Sequence, residues 1–308
     1  MKRIKNWILM LAVFTIVISL GTVGYAGEHD KDVGEFISVG EMAKGFSENM
    51  VPQNTDFVGK SFKLHFQDGT VINHNIFDKD TLSWEIVEGK GKGEKNSCTY
   101  YAVSPKEGIY LFSFVNSYGK DGKVVNMVIN TKNGASLVQE GYFPDEKEAS
   151  IPLWQRARDK KPMTSVKVEY FNASFEKPFT KKTPIIKPTT DLVGRRVQFT
   201  YSSRDAYEHI YLNDHSYVWN CISGNEKGNA DTEVCQFFKI EDNLYLFSWQ
   251  EKAVPTNGVV IEDFEAKRSF GAISGYDGFD FGKFINIPVG TYLKELNTTK
   301  YDYSLLKD

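Results

Sequence analysis

Five side chains in the last third of the chain carry groups that could together do acid–base chemistry: Tyr201, Tyr207, His209, Tyr211 and Glu251. Phenols, an imidazole and a carboxylate are the groups that transfer protons or orient a polar ligand. A carboxylate drawn into an apolar interior has its pKa raised by desolvation, so that it can hold a proton near neutral pH. Glu251 follows Trp249 by two positions, which puts both on one face of a strand. It also opens the polar stretch EKAVPTNG, where a water-facing position is the competing expectation.

The elements that must position these residues come from an internal repeat. Residues 57–84, FVGKSFKLHFQDGTVINHNIFDKDTLSW, align without a gap against residues 192–219, LVGRRVQFTYSSRDAYEHIYLNDHSYVW, and IYLFSF at 109–114 answers LYLFSW at 244–249. Alternation assigns faces: Ile72, His74 and Ile76 point inward in the first copy, so Tyr207, His209 and Tyr211 point inward in the second, with Glu208 outward. By the same logic Leu64 and Phe66 become Phe199 and Tyr201, and Asn116 becomes Glu251. His74/His209, Trp84/Trp219 and Gly59/Gly194 recur and are expected to serve the fold, whereas the substituted positions carry any difference in function.

Short runs of β-branched and aromatic residues broken by QDG, KDG, TKNG and YLND turns predict antiparallel meanders. Seven to nine such strands in each unit of roughly 110 residues predict an all-β chain of two tandem antiparallel up-and-down barrels, each with an interior cavity. Short accessory helices are expected over 35–50, ended by Pro52, and over 146–161. The expected organisation is a signal peptide over 1–26, a helical segment over 27–56, a first barrel over 57–176, a Pro/Lys-rich extended linker over 177–190 and a second barrel over 191–308.

The opening MKRIKNWILMLAVFTIVISLGTVGYA has a basic start, an apolar middle and small residues before a polar GEHDKD, the pattern of a secretory signal. Export to a periplasmic or extracellular location is the expectation, with no stable membrane insertion after signal removal. The formal charge of −3 becomes roughly −6 once that segment leaves, without a basic stripe, which argues against nucleic acid. Three cysteines, Cys98, Cys221 and Cys235, cannot all pair within one chain, and a Cys221–Cys235 bridge is one option. HExxH, CxxC, GxSxG and P-loop patterns are absent, so no cofactor and no metal site is expected. The Gly-rich loops GKGKGEKN and SGNEKGNAD read as turns at the barrel rims.

DLVGRRVQFTYSSRDAYEHIYLNDHSYVW, CISGNEKGNADTEVC, LYLFSWQEK, VPTNGVV and GAISGY resemble the carboxy-terminal half of the MoaF family, whose members carry the label molybdenum cofactor biosynthesis protein F. FISVGEMAKGF, FVGKSFKLHFQDG, EGIYLFSF and MTSVKVEY resemble its first half. The resemblance implies lipocalin-like, calycin-type barrels and an accessory link to molybdenum cofactor metabolism. The second unit is similar, more distantly, to phenolic acid decarboxylases. Carried over residue by residue, Tyr201, Tyr207 and Glu251 match that family's working groups, while Phe199 replaces a tyrosine and Asn229 an arginine. Losing the arginine removes the partner for a substrate carboxylate. The expectation is thus a small, aromatic or amphipathic molecule bound in the second barrel by His209, Tyr211, Trp219, Phe199, Asn229 and Trp249, beside Glu251, Tyr201 and Tyr207. The enzymatic alternative makes those last three the catalytic groups of a lyase or isomerase step on a phenolic compound. The first barrel is expected to be structural.

Overall fold

The computed structural model describes residues 34–117, 122–278, 281, 283–302 and 304, so the expected signal peptide lies outside the described residues. Eight antiparallel strands close the first barrel: β1 Ser61–Phe66, β2 Val71–Ile76, β3 Thr81–Glu88, β4 Lys95–Lys106, β5 Ile109–Ser117, β6 Lys123–Asn130, β7 Ala135–Tyr142 and β8 Lys167–Phe175. β8 returns to β1, setting Leu64 opposite Phe175 and Phe66 opposite Ala173. After a two-residue strand β9, Lys187–Pro188, come β10 Arg195–Thr200, β11 Ala206–Tyr211, β12 Ser216–Ser223, β13 Ala230–Glu241, β14 Leu244–Gln250, β15 Thr256–Asp263, β16 Arg268–Tyr276 and β17 Phe284–Thr298. Pairing of β10 with β17 and of β12 with β13 closes these eight into the second barrel. The all-β tandem-barrel expectation therefore holds.

Gly59 and Gly194 open the two barrels with the same device. Each adopts positive φ, 75° and 86°, and donates its N–H to the carbonyl at the end of the neighbouring strand, of Ile76 at 2.8 Å and of Tyr211 at 2.7 Å. A side chain would be strained at either site. The repeat is thus conserved at the backbone step that starts each barrel.

The strands at the centre of the molecule are buried on both faces. On β5 and β14 one face, Phe112 and Phe114 or Phe247 and Trp249, fills a barrel, while the other, Ile109 and Leu111 or Leu244 and Leu246, packs barrel against barrel. This is why IYLFSF and LYLFSW read as unbroken apolar runs rather than alternating ones. Polar side chains are threaded through the same interface. Gln139 donates to Asn257 Oδ1 at 2.8 Å and accepts from Asn126 Nδ2 at 2.8 Å, and Gln250 donates to Ser248 and Asn257, each at 3.1 Å. Replacing Gln139 by Leu leaves the Asn126 amide without its acceptor in a dry interface. Urea unfolding of Gln139→Leu should show a loss of about 2–3 kcal/mol, with both barrels lost in one transition.

The stretch expected to be a free linker is pinned to this interface. Ile186 is 2% exposed within the inter-barrel core, and Lys187–Pro188 pairs with β13. The helix expected over 146–161 is broken into α2 Glu146–Ala149 and α3 Leu153–Arg158, because Pro152 disfavours helical backbone at the residue before it. Trp154 is 64% exposed rather than packed. All three cysteines are buried and free, so the Cys221–Cys235 option is not taken. No helix among the described residues is long and apolar enough to cross a membrane.

Residues 35–50 form only one helical turn, α1 Val39–Met42, started by a Ser38–Glu41 capping box and continued by turns. This strap adds no strand to either barrel. Its apolar residues Ile37, Val39, Met42 and Phe46 are all buried in the core of the second barrel.

Candidate functional site

Strand alternation places the expected residues as read. Phe199, Tyr201, Tyr207, His209, Tyr211, Trp219 and Trp249 all point into the second barrel and are buried there. Glu208 faces the other way, held by Arg196, whose Nη2 lies 3.0 Å from Oε2. Tyr201, Tyr207, His209, Trp219, Trp249 and Glu251 converge on one void, joined by Tyr217, Ile273, Glu226 and the strap residues Met42 and Phe46. That void measures only about 30 Å3, room for a single water. The expectation of an open cavity here is corrected: larger side chains and the strap fill the second interior.

Glu251 takes the inward option. Trp249 Nε1 donates to its Oε1 at 2.9 Å, and burial of the carboxyl pushes its pKa up to about 8 despite that hydrogen bond. It therefore carries a proton at neutral pH. His209 is driven down to about 3 by burial and is a neutral imidazole, its ring 4.4 Å from that of Phe199 and tilted to it by 38°. Tyr211 reaches elsewhere, donating to Glu262 Oε1 at 2.6 Å deeper in the barrel. Asn229 is buried in its loop, its N–H bonded to the Glu226 carbonyl, and does not line the void. Phe199 likewise supports His209 without lining it. Among the described residues no group of three or more His, Cys, Asp or Glu could hold a metal ion.

Three buried carboxyl groups escaped the sequence reading. Glu226 sits in the SGNEKGNAD loop, a turn between β12 and β13 that is exposed over most of its length but sends the Glu226 side chain inward. Its Oε2 accepts from the Tyr207 hydroxyl at 2.7 Å and its Oε1 from the Ile37 backbone at 3.1 Å. Burial raises its pKa. Glu233 and Glu262 are 2% and 0% exposed and are pushed up to about 9 and about 8, in each case chiefly by burial. The alternation Gly258, Val260, Glu262 was the available signal for the last of these.

Among the described residues, the larger barrel interior is that of the first barrel. A cavity of about 780 Å3 opens from its interior, with Ile72, Phe114, Val125, Met127 and Val138 as apolar wall. His74 lies on that wall, stacked on Phe62 at 4.9 Å and held neutral by burial, with its pKa lowered to about 3. Trp84 donates from Nε1 to Asn116 Oδ1 at 2.8 Å. Asp68, Glu94 and Glu140 supply three carboxylates against the single ammonium of Lys123, which is 2.6 Å from Glu140. A wider surface depression of about 870 Å3 near Arg195 is charged but self-paired, with Lys106–Glu265 at 3.3 Å and Arg195–Glu295 at 3.5 Å. It offers no enclosed wall.

The hollow and the filled barrel are explained by register. Phe114 faces Val125 across β5 and β6, whereas Trp249 faces Gly258 across β14 and β15. Ile72 is exchanged for Tyr207 and Phe66 for Tyr201, each a gain in volume.

Two family models match the chain, the MoaF N-terminal domain over residues 34–145 and the MoaF C-terminal domain over residues 186–299. The chain belongs to the MoaF family. Protein MoaF from Klebsiella aerogenes is 35% identical over 269 residues, spanning 86% of this chain and 97% of that protein. A solved structure from Burkholderia vietnamiensis, whose description names a beta-lactamase, aligns over 34% of this chain and 96% of its own at 17% identity and a TM-score of 0.29. In MoaF terms the strap lies inside the amino-terminal family domain, yet its side chains pack in the carboxy-terminal barrel.

Proposed function

We propose that this MoaF-family protein is an exported carrier that binds one small amphipathic molecule in its first barrel. The observation that carries the reading is the cavity of about 780 Å3 in that barrel, set against about 30 Å3 in the second. Interiors of this size, apolar with a few converging polar groups, suit a small organic ligand. The apolar body would lie against Phe114, Val125, Met127 and Val138, with its head among Lys123, Glu140 and Glu94. Three carboxylates against one ammonium favour a neutral or cationic head over an anionic one. Export is supported by the basic, apolar and small-residue sequence of the first 26 residues.

1-Aminoanthracene, a neutral probe that brightens in apolar surroundings, should bind the purified protein in the micromolar range. Dodecylamine should displace it at lower concentration than dodecanoate. Val138→Trp, which fills the cavity, is expected to weaken probe binding at least tenfold. Lys123→Ala should further disfavour dodecanoate. Unaltered probe binding by Val138→Trp would remove the site from the first barrel.

A second reading is favoured by Glu251, protonated at neutral pH beside Tyr201 and Tyr207: a lyase or isomerase step on a phenolic compound in the second barrel. It requires that barrel to open, and turnover should vanish in Glu251→Gln.

A further inference from the structure

We propose that the second barrel is a separate binding site for one planar aromatic molecule bearing a hydroxyl, closed in this structure by the chain's own Phe46 and opened when the strap withdraws. Phe46 occupies the seat such a ring would take. It stacks on Tyr201 with centroids 4.1 Å apart and planes at 22°, and meets Tyr207 edge-on at 5.5 Å. Both distances lie in or just below the range of favourable aromatic pairs. The surrounding wall is more polar than an apolar plug needs. Tyr207, Glu226 and Glu251 all line the same void as Phe46, and Trp219, also lining it, has a buried indole N–H with no hydrogen-bond partner. A buried donor left unpaired is destabilising, and a ligand acceptor would relieve it.

Glu226 is the hinge of the exchange. Its Oε2 is engaged by Tyr207, while its Oε1 accepts from the strap backbone at Ile37. Withdrawal of the strap frees Oε1 to accept from a ligand hydroxyl, so one hydrogen bond replaces another. Withdrawal breaks no strand ladder, because the strap pairs with none. Its other ties are separate hydrogen bonds: Gly34 N to the Lys227 carbonyl at 2.9 Å, Gly290 N to the Phe46 carbonyl at 3.0 Å, Asn49 Nδ2 to the Thr200 carbonyl at 3.0 Å, Arg268 Nη2 to the Asn49 carbonyl at 2.6 Å and Ser203 N to Glu48 Oε1 at 3.2 Å. The strap also seats closely through Gly45, where a Cβ would stand 2.2 Å from Asp205 Oδ2. The missing side chain lets the strap lie close against the rim.

The site is independent of the first-barrel cavity, and hydrogen exchange read peptide by peptide separates the two. In the wild-type protein, millimolar phenol should speed amide exchange in residues 34–50 and slow it in strands carrying Tyr207 and Trp219. Unchanged or slower exchange in 34–50, including the case where phenol does not bind, overturns the proposal. Protection confined to the first barrel does the same. Phe46→Ala supplies the second arm: it should bind phenol at least tenfold more tightly than wild type and prefer phenol over toluene at least fivefold. Adding Glu226→Met should abolish that preference. A Phe46→Ala protein that favours toluene would mark an apolar hole rather than a built site.

Discussion

Thermal stability is expected to peak near pH 5 and to fall steeply as the pH rises from 6 to 8. Glu233, Glu251 and Glu262 have folded pKa values of about 9, 8 and 8 against an ordinary value of 4.5, all raised mainly by burial. Between those limits the folded protein holds protons that the unfolded chain has released. Raising the pH then favours unfolding, by at most about 1.4 kcal/mol per pH unit for each group and by less for Glu251, which keeps partial exposure. Buried His74 and His209 act in the opposite sense. Their folded values of about 3 lie below the ordinary 6.5, so the stability they contribute is present above pH 6.5 and is lost on acidification toward 3. Glu208, whose pKa is lowered chiefly by Arg196, adds to the loss at the acid end. Above pH 6.5 only the carboxyls act, below 4.5 only the acid-side groups, and the two trends cross near pH 5. Melting temperatures measured from pH 4 to 9 check this directly. Glu233→Gln and Glu262→Gln should each flatten the alkaline limb, and a stability that climbs from pH 5 to 8 would contradict the burial of these groups.

Gly258→Ala is expected to cost about 3 kcal/mol and to disturb the site at the same time. A Cβ at Gly258 would stand 2.1 Å from Cζ2 of Trp249, whose indole lies flat over the glycine. The ring has nowhere to move, since Trp249 is 3% exposed and stacked on Phe247 at 5.1 Å. Any displacement also pulls its N–H from Glu251, which should raise that carboxyl's pKa further. The first barrel supplies the rescue, because there Phe114 faces Val125 at the same point in the sheet. Trp249→Phe combined with Gly258→Val rebuilds that pair, and a double-mutant cycle by urea unfolding should show a favourable coupling of about 2 kcal/mol. Additive losses would mean that the two positions do not share one volume.

Much of the fold was legible because strand alternation is local. The period-two pattern in AYEHIY and RRVQFTY suffices to send Tyr207, His209, Tyr211, Phe199 and Tyr201 to one face, and the ungapped repeat carries that assignment from one barrel to the other. Glu251 could be placed only as an alternative, because a strand's last residue and a loop's first share the same local pattern. Glu226 was hidden more deeply. A charged residue in a Gly-rich loop reads as solvated, and only the folded turn, which aims this one side chain inward, brings it to Tyr207.

By itself the sequence determined the doubling, the all-β class, the MoaF kinship and the inward set of side chains, since each of these depends on short-range pattern or direct similarity. Tertiary structure alone decided which barrel is hollow. Cavity volume is a small difference between the space enclosed by eight strands and everything packed into it, including a strap from far away in the chain. Residues 35–50 look from sequence like a short helix in a segment ahead of the first barrel. Folded, they place Phe46 between the tyrosines of the second, and so leave the open interior to the copy whose side chains seemed to have the least chemistry.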